Sequence, residues 1–391
     1  MNVRNVLVWG VLAALLVIVF FEARMVARSV QVRDLSAYWA AARLAEDNPY
    51  SAEKVQFMKH KAGITNSPPL VMRNPPWALA ILFPFRWLDY FSLFALWAMV
   101  NIFIISTCAV TVWNLYGGKN PVWALLLSLF FGPTLWLLRL GQMTGLVLLG
   151  YVAFLVCIEK KRDWVAGASL FFVSLKPHLA LLFFIFLFLW SVRTGRYAAI
   201  ATWVLSVVSA SLLVVSINPH IFNQYRSLFH ETPVWSNVYP NLGGILALIA
   251  GRRWVSFLPL LAGCAWSLYY WITMRGVWSW RNQLPIVLLV SLVTSYYSYS
   301  YDEVIILPAL LQVALGGDKK TFIVPFLVVN FLIMAYAAEW MSAYKFGFLF
   351  NLWTADFGFL FNSWTATAWI SIYLISRYKK ASSERGLSGS T

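Results

Sequence analysis

Apolar runs recur along this chain from Val6 to Ile375 with short polar breaks between them, and they limit its folding choices more than any other feature. A helix needs about 20 apolar residues to cross the hydrocarbon core of a bilayer. In lipid every backbone polar group must be satisfied within the protein, which favours helices for runs of this length. Runs over 6–21, 91–113, 122–138, 144–158, 164–175, 179–192, 198–217, 256–274, 284–296, 303–315, 321–338 and 364–377 give about twelve spans. Several fall short of full length, so their ends are expected to reach into the flanking polar residues. The expected fold class is an all-α polytopic integral membrane protein. Composition agrees: 12% of residues are charged, about half the share in an ordinary soluble domain. Disorder, collagen-like repeats and a soluble enzyme are excluded on that ground.

Cys108, Cys157 and Cys264 each sit inside an apolar run, far apart, with neither metal-ligand spacing nor a disulfide framework. The net charge of +15 is spread thinly. No basic run is long enough for a groove-binding stripe, so membrane lipids rather than nucleic acid are the expected surroundings. The run Val6–Phe21 has a basic start, but Phe20-Phe21-Glu22-Ala23-Arg24 lacks a small-residue cleavage site, so it is read as a retained helix.

Basic residues in the short connections set the orientation. Lys119, Lys160-Lys161-Arg162, Arg193, Arg196, Arg275, Arg281, Lys319-Lys320 and the tail residues Arg377, Lys379, Lys380 and Arg385 all fall on one side if both termini are cytoplasmic. A single transmembrane domain over 1–377 then carries extracytoplasmic segments at 22–90 and 218–255, and 378–391 is a basic cytoplasmic tail. All four histidines lie on the outer side. So do all acids except Glu159, Asp163, Asp318 and Glu384. Groups able to do chemistry are thus concentrated at the outer face.

In the first outer segment, Leu35, Tyr38, Trp39 and Ala42 recur at helical spacing, which predicts an amphipathic helix lying in the membrane interface. Asp34 stands at its start. It reads either as a cap for the orphan backbone N–H groups or as a general base at the membrane surface. Asn48-Pro49-Tyr50 stops this helix. A polar loop leads to Arg73-Asn74-Pro75-Pro76, and Trp77–Phe85, broken by Pro84, reads as a re-entrant or interfacial piece.

Three further breaks place polar groups at membrane depth, where ionisable residues are functional candidates by default. Arg139-Leu140-Gly141-Gln142 forms a tight turn. Lys176-Pro177-His178 interrupts the apolar stretch 164–192. Ser295–Glu303 places four tyrosines and two acids at a helix junction. Arg139 and Lys176 suit a phosphate-bearing substrate or lipid headgroups, and Asp302 and Glu303 could equally pair with them. Phe346–Asn351 with Trp353-Thr354-Ala355 recurs eleven residues on as Phe357–Asn362 with Trp364-Thr365-Ala366, and reads as a local duplication.

Taken in order, Asp34 with Tyr38-Trp39-Ala40-Ala41, Asn48-Pro49-Tyr50, Asn74-Pro75-Pro76, Gly141-Gln142, Lys176-Pro177 and Tyr299-Ser300-Tyr301-Asp302 resemble glycosyltransferase family 87. Members commonly carry Tyr-Pro-Pro where this chain has Asn74-Pro75-Pro76, and some have histidines near the last station. The resemblance implies the GT-C fold of membrane glycosyltransferases in a bacterial plasma membrane. It implies inverting transfer of a sugar, often mannose, from a polyprenyl-phosphate donor to a lipid or glycan hydroxyl acceptor on the extracytoplasmic side. Asp34 falls at the position of the presumed base.

The residues fit that chemistry. A lipid-phosphate donor brings its own leaving group, and the chain has no Gly-rich nucleotide loop. Arg139, Lys176 and His178 are candidate phosphate ligands, with Arg73 a further substrate-binding candidate. Gln142, Tyr299, Tyr301 and Asp302 are candidates for orienting the sugar or those cations. No cofactor is expected, although a divalent metal stays open. The rival reading is a transporter or lipid flippase, since the breaks at Lys176 and at Tyr296–Glu303 fall in different halves.

Overall fold

A computed structural model describes residues 34–64, 70–233, 239–346, 364–379 and 382. The first expected span, 6–21, lies outside the described residues, as do most of the eleven-residue repeat and most of the tail. Regular structure among the described residues is helical throughout, without strands.

Helices α1 (Asp34–Arg43) and α2 (Ala52–Lys61) come first, α2 capped by the Ser51 hydroxyl, which accepts from the Lys54 N–H at 3.4 Å. Short helical turns fill Pro76–Phe85, the piece that Pro84 was expected to break. Then follow α3 (Tyr90–Leu115), α4 (Pro121–Leu129), α5 (Gly132–Leu140), α6 (Thr144–Glu159), α7 (Asp163–Val173), α8 (Leu181–Thr194), α9 (Ala198–Ile217) and α10 (Ile221–Glu231). The chain continues through α11 (Leu242–Ala250), α12 (Leu258–Met274), α13 (Trp280–Thr294), α14 (Leu307–Gly316), α15 (Lys319–Phe346) and a last helix over 364–379.

Among the described residues, three stretches are long and apolar enough to cross a membrane: α3, α9 and Arg253–Val277, which contains α12. The pair α4–α5, bent by 58°, makes a fourth if counted as one span. Apolar side chains stand exposed on these helices, Leu205 and Leu212 on α9 and Leu261 and Ile272 on α12 among them. A bilayer is what covers such surface, and the protein is an integral membrane protein. The expected spans at 164–175 and 179–192 are helices of 11 and 14 residues. Pro177 separates them, because it lacks an N–H and forces Lys176 out of the helical region, to φ −134° and ψ 72°. The expected span at 303–315 likewise divides, into a 3₁₀ turn over Ser300–Ile306 and α14.

The chain packs into two compact units. One comprises residues up to 103 together with 138–142 and 208–231. In it α1 is the central element. The amphipathic pattern predicted for α1 gives way to burial on every side, from Leu35 to Ala42. Ala37, Ala40, Ala41 and Ala42 are small enough for neighbours to close in around the helix, so hydropathy spacing alone misjudges its exposure. Trp39 and Arg43 donate to the Leu88 carbonyl at 3.0 Å each. Asn218 and Gln224, at the start of α10, both donate to the Asp47 carbonyl at 2.8 Å.

The other unit comprises 104–137, 143–207 and 232 onward. Its centre is the antiparallel pair α6–α7, joined through Lys161 at φ 55°. Gly150 lets the two approach, since a Cβ there would lie 2.9 Å from the Ser169 carbonyl. Phe154, Phe183, Trp190, Trp278 and Trp280 pack edge to face or tilted around α8 and α13.

Candidate active site

The candidate residues form two groups, one in each unit. In the first unit, Asp34 sits in the first turn of α1, where a carboxylate meets the positive end of the helix dipole. It is only half-buried, while the eight residues after it are buried. Tyr38 lies one turn on, on the same face. Its hydroxyl donates to Gln142 Oε1 at 3.0 Å, and Trp97 Nε1 donates to the Gln142 carbonyl at 3.3 Å.

Gly141 makes that meeting possible. Its φ is +68°, a left-handed value, and a Cβ there would lie 2.6 Å from Leu35 Cβ. The turn of Gly141-Gln142 thus lies directly against α1. Arg139, in the last turn of α5, and Arg73 are both half-buried. The Arg73 backbone is fixed by the Tyr225 hydroxyl, which donates to its carbonyl at 3.3 Å. Tyr50, of the Asn-Pro-Tyr station, donates to the neighbouring Asn74 carbonyl at 3.2 Å.

Sequence reasoning passed over Lys59. It is fully buried, and its ammonium donates to the Leu70 carbonyl at 2.9 Å. Burial drives its pKa down to about 8, and the charge of Asp34 acts against that fall. One signal in the sequence could have found it. Val55 and Lys59 are four residues apart in a helix capped at Ser51, so the face that buries the valine also buries the lysine.

In the second unit, Lys176 and Asp302 form a buried ion pair, Nζ to Oδ1 at 2.6 Å. Thr144 donates to the same oxygen at 2.9 Å, and the Tyr299 N–H reaches Oδ2 at 3.2 Å. Asp302 thereby ties the start of α6, the break before α8 and the 3₁₀ turn together. The Lys176 ammonium also lies over the Tyr301 ring, 4.8 Å from its centroid, and Tyr301 stacks on Tyr299. The His178 ring meets the edge of Tyr297. Its Nε2 is enclosed and meets no hydrogen-bond partner among the described residues. Among the described residues Glu303 pairs with no cation. It accepts from the Thr365 hydroxyl and from Trp369 Nε1, the latter at 2.8 Å. A small cavity beside it, lined by Asn241, Ser298, Tyr299 and Thr367, holds about 10 Å³, room for one water. No three His, Cys, Asp or Glu side chains among the described residues are grouped to hold a metal ion.

Residues 73–299 match the sequence profile of glycosyltransferase family 87, more than half of the chain. The chain belongs to that family. It is a membrane glycosyltransferase, and of the readings that the sequence left open the transferase is the one its family carries. No curated protein and no solved structure matches it. Within the matched residues lie Arg73, Arg139, Gln142, Lys176, His178 and Tyr299, while Asp34, Tyr301 and Asp302 lie beyond its ends.

Proposed function

We propose that this glycosyltransferase moves a sugar, mannose foremost, from a polyprenyl-phosphate donor to a hydroxyl of a lipid or glycan acceptor, with inversion. The acceptor oxygen attacks the anomeric carbon as the bond from that carbon to the phosphate oxygen breaks. The acceptor proton passes to Asp34, and the polyprenyl phosphate departs as an anion. The basic residues of the short connections support a reading with both termini in the cytoplasm and the reaction on the opposite side of a bacterial plasma membrane.

One observation carries the reading. Asp34 is the half-buried first residue of a helix that is buried from Leu35 to Ala42, one turn before Tyr38, which meets Gln142. A carboxylate held so, at a helix start, can accept a proton and remain fixed while it does. Arg73 and Arg139 are the groups of this unit that we assign to the departing phosphate, because a guanidinium offers paired donors to phosphate oxygens. For the second unit His178 remains a candidate on the sequence reading, its Nε2 enclosed and without a hydrogen-bond partner among the described residues. Lys176, Tyr299, Tyr301 and Asp302 act there mainly by holding one another in place.

The test is transfer from radiolabelled polyprenyl-phosphate mannose by purified Asp34→Asn. The expected result is a loss of about 10²–10⁴-fold in rate, with the melting temperature in detergent and donor binding kept. Full activity in that variant would return Asp34 to a capping role.

A further inference from the structure

We infer that Tyr225, on α10, is a positioning residue for the donor phosphate: with Tyr50 it grips the backbone from which the Arg73 side chain extends. The inference rests on the assignment of Arg73 to the departing phosphate. It goes beyond it by giving a role in the reaction to a helix of the second outer segment.

Residues 70–75, between α2 and the turn at Pro76, have no regular structure of their own. Their carbonyls gain no partner from a helix, and a carbonyl packed inside a protein needs a donor. Side chains from three separate places supply it. The Lys59 ammonium of α2 donates to the Leu70 carbonyl at 2.9 Å. The Tyr225 hydroxyl donates to the Arg73 carbonyl at 3.3 Å, and the Tyr50 hydroxyl to the Asn74 carbonyl at 3.2 Å. Met72, just before Arg73, is buried, and Pro75, just after Asn74, has its φ held at −57°. Two successive carbonyls are thus each met by a tyrosine, and the half-buried Arg73 extends from a fixed root. A guanidinium meets a phosphate with paired donors only when it is presented in the right place, and a fixed root lowers the cost of holding it there.

The tyrosines also hold each other. Their ring centroids lie 5.1 Å apart, and Tyr225 meets Phe229 at 4.9 Å. Helix α10 is pinned at its start, where Asn218 and Gln224 both donate to the Asp47 carbonyl, and it packs on the turn at Pro76–Ala78. Ile221 and Leu228 are buried, while Asn223, Arg226, Ser227 and His230 are exposed. Phenylalanine at 50 and 225 would make the same ring contacts, so what the hydroxyls add is the hold on the two carbonyls. Burial pushes the Tyr225 hydroxyl up to about 12, against the opposing pull of the Arg73 charge, so it stays protonated and able to donate at neutral pH.

Tyr225→Phe keeps the ring and removes the hydroxyl. Binding of radiolabelled polyprenyl-phosphate mannose to the purified protein in detergent should weaken about 3- to 10-fold, the range of one hydrogen bond. Polyprenyl phosphate should weaken by the same factor, and polyprenol, which lacks the phosphate, should bind as it does to the parent. Arg73→Gln should cost about 10- to 100-fold. Tyr225→Phe added to it should cost nothing more, because the hydroxyl acts through Arg73. Tyr50→Phe frees the neighbouring carbonyl and should weaken phosphate binding in the same sense, which keeps the test open whether or not Tyr225→Phe purifies well. Unchanged phosphate binding by either tyrosine variant, an equal loss for polyprenol, or a loss that adds in full to that of Arg73→Gln would overturn the inference. Normal donor binding by Arg73→Gln would instead remove the assignment beneath it.

Discussion

Each unit of this protein holds a buried lysine and a candidate aspartate, and the two units differ in how those groups are met. In the second unit Asp302 is wholly buried, and both its oxygens are engaged, by Lys176, Thr144 and the Tyr299 backbone. Its valences are taken up in joining three segments. In the first unit Lys59 is fully buried with its ammonium on the Leu70 carbonyl, and Asp34 is half-buried at the start of a helix. A carboxylate whose lone pairs are all occupied holds structure. The proposed transfer asks a half-buried carboxylate at a helix start to take up a proton. On the proposed reading an aspartate thus serves architecture in one place and chemistry in the other.

The strongest way to break this comparison is to remove the cation from the closed pair. Lys176→Met would leave the Asp302 charge buried with only Thr144 and one backbone N–H. Breaking a buried pair in this manner is destabilising by about 3–5 kcal/mol. The expected result is a collapse in the yield of monodisperse protein in detergent. Adding Asp302→Asn to that variant removes the stranded charge and should recover much of the loss. If Lys176→Met purified and melted like the parent, the pair would not be the joint described above, and Asp302 would become available for substrate.

The turn that carries Gln142 offers a smaller effect and a sharper contrast. Gly141→Ala places a Cβ 2.6 Å from Leu35 Cβ, an atom fixed to the α1 backbone, at a φ of +68°. The backbone conformation costs about 1–2 kcal/mol, and relieving the overlap about 1–3 kcal/mol more. Gly195 is the control, with nearly the same φ of +69° and nothing near its missing side chain. Gly195→Ala should show the first cost alone. Gly141→Ala should also lower transfer beyond its effect on melting, because α1 carries Asp34. Equal melting shifts in the two variants would mean that α1 does not press on this turn.

What the sequence made legible was local. Proline at 177 stops a helix and glycine at 141 permits a left-handed turn whatever surrounds them, so both breaks could be placed in advance. The start of α1 at Asp34 could be placed as well. Burial was less legible because it depends on what packs from elsewhere. The spacing of Leu35, Tyr38 and Trp39 looked one-sided, yet the alanines between them are buried too. Lys59 lay in Glu53-Lys54-Val55-Gln56-Phe57-Met58-Lys59-His60, which reads as a solvated helix unless Val55 is known to face inward. Hydropathy likewise marked apolar stretches without showing where one bends, as at the 58° break between α4 and α5. Pairing was the least legible of all. Nothing in the spacing of Lys176, Asp302 and Glu303 says which acid takes the cation, and the choice rests on where Thr144 and the Tyr299 backbone arrive.

The smallest expected effect comes from the outer face of α2, and it tests whether burial rather than contact geometry gives a pair its weight. Lys54 meets Asp47 at 2.6 Å, as short as the buried contact of Lys176 with Asp302. Its side chain is 47% exposed and that of Asp47 is 54% exposed. Water solvates both charges once they are separated, and salt screens them while they are together, so such a pair is worth less than about 1 kcal/mol. Lys54→Ala should therefore leave melting and transfer almost unchanged, and raising the salt concentration should erase any difference. Lys59, five residues along the same helix, should respond to neutralisation at any ionic strength, because its surroundings exclude ions as well as water. Equal responses of the two lysines would show that the distinction between the faces of α2 carries no energy.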